Sequence, residues 1–200
     1  MTFVLSEDDA LKKNLQGMTV HDQRSIGDNT PRQVAVFYGQ PDQEIREQSY
    51  PYVTIDLLGI NRDPDREMRG KTAAEYLTPE GLDDTHGWEQ NLPIPVNLDY
   101  QITSYARQPR HDRELLAQLA MQKLPFRFGQ LSLDDGTLRR LEVMGTSKRD
   151  ATEQGKRLFV NAITVRISSE VPEVIYSDFY KVQEIDLAPI KTTFSKQILP

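Results

Sequence analysis

The sequence predicts an α+β fold: a mixed β-sheet packed by one or two helices, with a long loop and an extended C-terminal arm. Three observations carry this prediction. Val96, Leu98, Tyr100 and Ile102 alternate with Asn97, Asp99, Gln101 and Thr103. Successive strand side chains point to opposite faces, so this stretch reads as a half-buried strand with one wet face. Leu115, Leu116, Leu119 and Leu124 then fall on one helical stripe between Pro109 and Pro125. Finally, Asp134-Asp135-Gly136 sits between two apolar-patterned runs, 126–133 and 138–144, the signature of a hairpin.

Taken in order, the chain first offers a short helix. Ser6 is placed to cap it, Glu7, Asp8 and Asp9 suit its first turn, and Leu11 and Leu15 share a face ahead of Gly17. Residues 21–32 read as a polar loop. Residues 34–38 and 52–60 read as strands, the second with Val53, Ile55 and Leu57 on one face. Their connection is long for a tight hairpin. Residues 61–91 form the largest region without clear periodicity. Asp112 is placed to cap the helix that carries the leucine stripe, and Lys123 suits its negative end. Residues 145–156 read as a polar loop. Residues 158–167 read as a strand with Phe159, Ile163, Val165 and Ile167 on one face and Arg166 on the other. From Val171 onward, aromatic residues are scattered among charges and prolines. That texture argues for an arm laid on a neighbour rather than simple disorder.

Composition narrows the function. The chain has 200 residues, 38% of them hydrophobic, with a mean hydropathy of -0.58, which points to a modest core with long wet segments. No apolar run approaches the roughly 20 residues that span a bilayer. No basic segment precedes an apolar one at the N-terminus, so neither a secretory signal nor a membrane partner is expected. Cysteine is absent, which excludes disulfides and thiolate metal sites. The net charge of -6 disfavours duplex DNA as the main partner, because phosphate binding calls for a basic face.

Catalytic signatures are weak. Gly70-Lys71-Thr72 resembles the end of a phosphate loop, but Asp65 stands where that motif needs a glycine. His111-Asp112 reads as a helix start with a solvated imidazole, although with His86 it invites a metal-phosphohydrolase reading. A metal-dependent phosphodiesterase using Asp56, Asp63, Asp65 and His86 is the alternative from a different class. No Gly-x-Ser-x-Gly and no dinucleotide fingerprint occurs. The expectation is a protein with no catalytic residues, cofactor or metal. The candidates for a protein interface are Arg62, Asp65, Arg66 and Arg69 in the long loop, with Trp88, Tyr176, Phe179 and Tyr180. Trp88 either pins the loop to the body or anchors a partner.

Several strings, in order, carry a family resemblance. They are Tyr50-Pro51-Tyr52-Val53-Thr54-Ile55-Asp56-Leu57 before a charged loop, then Tyr100-Gln101-Ile102-Thr103-Ser104-Tyr105-Ala106 before the leucine helix. Arg139-Arg140-Leu141-Glu142-Val143-Met144-Gly145 and Leu158-Phe159-Val160-Asn161-Ala162-Ile163-Thr164-Val165 follow. This order, over residues 30–170, resembles the tail-terminator or tail-completion proteins of the neck of tailed bacteriophages. The resemblance implies a ring-forming domain over residues 1–171 and an interaction arm over 172–200. It implies six copies in a ring that caps the tail tube, meets tube and sheath proteins, and docks to the head-side connector. DNA would pass through the lumen without sequence-specific binding, and the protein would reside in the virion after assembly in the host cytoplasm. Another neck, head-completion or sheath-adapter protein is the nearest structural alternative.

Overall fold

Strands β7 (Ile94–Ala106) and β11 (Lys156–Val171) pair antiparallel along their whole shared length, from Phe159 opposite Ala106 to Val171 opposite Ile94. They form the centre of a mixed sheet in the computed structural model, which describes residues 3–22, 30–42, 49–73, 86–153, 155–171 and 176–180. On one side of β7 lies β4 (Tyr52–Arg62), and β3 (Ala35–Tyr38) runs parallel to its first half. On the other side of β11 lie β9 (Leu138–Lys148) and β8 (Gly129–Ser132), with β10 (Ala151–Glu153) also paired to β11. The expected α+β class with a mixed sheet is the fold observed.

The alternation read in the sequence sorts the two faces. Leu98, Tyr100, Ile102, Ile163, Val165 and Ile167 are buried on one face. Helix α1 (Leu5–Leu15) covers it with Leu11 and Leu15, and helix α2 (Pro109–Gln118) covers it with Leu115. Each such side chain stabilises the fold by about 1.5–3 kcal/mol relative to exposure. The opposite face divides along its length. At one end Tyr52 and Tyr105 stack at 4.8 Å, with Tyr50, Leu158 and Val160 around them. At the other end lie Asn97, Asp99, Arg166 and Ser168, which are joined by hydrogen bonds.

The helix ends differ from expectation in instructive ways. Helix α1 starts at Leu5 with Val4 as its cap residue, not at Ser6. The Glu7 carboxylate does the capping, accepting from the Val4 N–H and the Ser6 hydroxyl at 3.1 Å each. Its buried position makes a second acceptor role possible, toward the Ser169 hydroxyl. Gly17 follows the helix at φ +79, the left-handed C-terminal position that favours glycine. Helix α2 starts at Pro109, a residue suited to the first turn, and Asp112 lies inside that turn rather than before it. The helix loosens into a π-turn at Leu119–Lys123, closed by the Leu124 N–H on the Leu119 carbonyl at 2.7 Å. The hairpin at Asp134-Asp135-Gly136 is present, with Gly136 at φ +81 and Thr137 bonded to Asp135.

Three regions read as loops contain strands. Within 21–32, β1 (Thr19–Asp22) pairs with β2 (Thr30–Gln33). Within 145–156, β9 continues to Lys148 and β10 follows. Within 61–91, β4 reaches Arg62, and β5 (Lys71–Ala73) and β6 (His86–Asn91) appear. These segments are polar, so their pairing rests on main-chain hydrogen bonds, as between β1 and β2 and between β5 and β6, and leaves no apolar period to read.

The chain divides into two compact units, residues 1–68 with 93–172 and residues 69–92 with 173–200. The second holds a three-stranded sheet in which β6 lies between β5 and β12 (Tyr176–Tyr180). Residues 181–200 of the expected arm lie outside the described residues. Among the described residues, no helix is long and apolar enough to cross a membrane.

Candidate interaction surfaces

The charged loop after β4 is clasped to the sheet. The Asp63 N–H donates to the Pro95 carbonyl at 3.0 Å. Arg66 donates to Asp63 at 2.7 Å, to the Val96 carbonyl at 3.1 Å and to Asn97 at 3.2 Å. Arg66 holds the Asp63 carboxyl below its ordinary pKa. Arg62 pairs with Glu67 at 2.5 Å. Of the predicted interface residues, Arg62 and Arg66 therefore hold the loop's own shape. Asp65 and Arg69 are exposed, with Asp65 in the first unit and Arg69 in the second.

The second unit brings the predicted aromatic positions into one small sheet. Trp88 lies opposite Asp178 in register and Phe179 opposite Gly87, while Tyr176 and Tyr180 lie opposite Gln90 and His86. The tryptophan of the long loop and the aromatics of the tail are thus neighbours in one backbone ladder, ninety residues apart in sequence.

Asp63 accepts from the Asp65 N–H at 3.2 Å, but Asp56 is not brought to them. Asp56 lies in the middle of β4 and Asp63 just beyond its end, about 23 Å apart at roughly 3.3 Å per strand residue. His86 belongs to the other unit. Among the described residues, no group of three or more potential ligands has metal-binding proximity. His111 and Asp112 are also not as expected: both are buried, each 3% exposed. Residue 111 turns its imidazole Nε2 to 2.8 Å from Asp22 of β1. Asp112 accepts from Asn161 at 2.5 Å and Lys148 at 3.2 Å. Asp112 fastens α2 to β9 and β11, and His111 lies beside β1 without a hydrogen bond to it; sequence spacing connects the helix to none of these strands.

Two features that sequence reasoning missed shape the wet face. In β4, Leu57 faces Tyr100 and Gly59 faces Asp99, so Leu58 is an extra, bulged residue. In β9, Gly145 faces Thr164 and Val143 faces Val165, so Met144 is another. The two bulges fall beside the same row of the sheet. Leu58 is 56% exposed and Met144 52% exposed, and both line a surface hollow of about 300 Å³. Asp99 and Arg166 line it too, bonded bidentately at 2.7 and 3.1 Å, with Asn61 adding a bond to Asp99 at 3.0 Å. Arg166 holds the Asp99 carboxyl below its ordinary pKa. The missed signal was an apolar pair followed by glycine, Leu57-Leu58-Gly59 and Val143-Met144-Gly145, because a glycine inside a strand marks a bulge.

At the far margin of the sheet, Phe128 takes a left-handed backbone conformation at φ +57 and is 95% exposed. Its neighbour must be glycine: a Cβ on Gly129 would sit 2.5 Å from the Leu141 carbonyl oxygen of β9. Phe128 lines a second hollow of about 300 Å³ with Leu138 and Arg140, and Phe126 beside it is also exposed.

No family model and no curated protein matches the chain. Among solved structures, it is similar to the sheath/tube terminator of an extracellular contractile injection system, PVC, in the extended state. The identity is 14% and the TM-score 0.44, with 99% of this chain covered. The chain spans 65% of that protein's length.

Proposed function

We propose that the chain is a structural subunit of a tailed particle: a ring-forming tail terminator that caps a tail tube, meets tube and sheath proteins, and joins the tail to a head-side connector. The observation that carries this reading is the outward placement of large apolar side chains at both margins of one packed sheet. Leu57, Leu58 and Ile60 are exposed on β4, and Phe126, Phe128 and Leu138 at the β8–β9 margin. Surfaces of this kind mark association. Two unlike surfaces on one chain are what a head-to-tail ring requires, and such a ring closes when the rotation per subunit completes a circle.

The ordered strings over residues 30–170 support the terminator role, and with it six copies and a virion location. The net charge of -6 suits a lumen that lets DNA pass without holding it. The exposed Asp65 and Arg69, and the ladder carrying Trp88, Tyr176, Phe179 and Tyr180, are the contacts proposed for neighbouring particle proteins. Electron micrographs of particles assembled without this chain test the reading. Over-long or headless tails are expected; tails of normal length attached to heads would overturn it.

A further inference from the structure

We infer that Phe128 of one copy seats in the hollow between Leu58 and Met144 of the next, forming the head-to-tail contact of the ring. This rests on the ring reading above and supplies its interface.

The knob is unusual in its own right. A phenylalanine seldom adopts positive φ, and one that does so with its ring almost wholly in water gains little packing within its own chain. Strain of this kind persists where it serves a contact. The next residue, Gly129, lies close against β9, where a Cβ would meet the Leu141 carbonyl oxygen at 2.5 Å.

The hollow admits the knob and suits it in chemistry. About 300 Å³ is roughly twice the volume of a cavity that takes benzene, so one aromatic ring enters with room to spare. Its rim is two apolar bulge residues, and its Asp99–Arg166 pair is already satisfied, so covering it leaves no charge unpaired. The surroundings are complementary in charge. Residues 118–133 carry Lys123 and Arg127 and no acid, whereas residues 56–67 carry four acids against two arginines. A second copy therefore fits better than a partner of unrelated chemistry. The hollow spans the sheet from β4 to β9, and Phe128, just before β8, is not among the residues that line it, so one copy can use both at once.

The chain lacks cysteine, which makes the test clean. Gln130→Cys, beside the knob, and Asn61→Cys, on the rim of the hollow, are made in separate full-length chains; both positions are exposed, so the core is untouched, and Phe128, Leu58 and Met144 stay in place. A short bifunctional maleimide is then added to each variant alone and to their mixture. Cross-linked dimers are expected in the mixture at least tenfold above either variant alone. A chain carrying both substitutions should give a ladder ending at a closed ring. Equal yields in all three samples, or none in the mixture at high protein concentration, would overturn the contact. Binding to purified tail tubes separates the two claims. Capping without the mixed cross-link sinks the contact and spares the terminator reading. The mixed cross-link without capping does the reverse.

Discussion

The Tyr100 hydroxyl donates a 2.6 Å hydrogen bond to Asp8, tying the central strand β7 to helix α1. Tyr100→Phe removes the donor and leaves a partly buried carboxylate unpaired. The expected loss is about 1 kcal/mol, at the low end because Asp8 keeps contact with water. Urea unfolding at neutral pH reads it directly.

The same pair sets a pH dependence. Burial raises the Asp8 pKa above 3.8, despite the Tyr100 bond. The folded state then holds the proton more tightly than the unfolded chain, so this contribution is full below pH 3.8 and is lost as pH rises through the raised value. Tyr100 is raised above 10.0 by burial and by Asp8, so its contribution is full below pH 10 and lost at more alkaline pH. Asp8→Asn should abolish the acidic step, which stability measured across pH would show.

Asp99 has the opposite sign. Its Arg166 bonds lower its pKa, so its contribution is present above pH 3.8 and is lost as pH falls through the lowered value. Asp99→Asn should weaken the fold by about 1 kcal/mol at neutral pH, the upper end for exposed ion pairs. The variant should also flatten the acid limb of the stability profile.

Asn161→Ala strips a buried carboxylate, Asp112, of its closest donor. A loss of about 2–3 kcal/mol is expected. Adding Asp112→Ala should recover part of it, because the two sites share one network. A double-mutant cycle by denaturant unfolding checks both statements.

These networks also mark where the sequence stopped being legible. The alternation from Val96 to Thr103, the leucine stripe of α2 and the Asp-Gly hairpin were visible because each is local. His111 was not. Nothing within the helix says that Asp22, some ninety residues earlier, comes to rest beside it. Strands β6 and β12 escaped for a similar reason: His86–Asn91 has no apolar period, and its partner lies ninety residues away. The exposed rim of the hollow was half legible, since Gly59 and Gly145 flag bulges, but which way Leu58 and Met144 turn depends on register with β7 and β11.

Phe128→Gly separates stability from association. Glycine tolerates φ +57, so the isolated chain should gain about 1 kcal/mol and melt at higher temperature. Self-association should fall at the same time. Calorimetry and light scattering on one sample test both directions.

Deleting residues 172–200 removes β12 from the small sheet. The first unit should keep its cooperative unfolding, because its β7–β11 core is intact. Amides of residues 86–91 should lose protection against hydrogen exchange, since β12 is their partner on one side.

Beyond Ile55, nothing among the described residues pairs with the outer side of β4. A bare strand margin of that length is a template on which stray chains can zip. The bulge at Leu58 throws the donor and acceptor spacing out of step partway along, so an intruding strand loses its footing before it gains a full ladder. The chain thereby carries, in one irregular residue of its own strand, a brake against fibre growth.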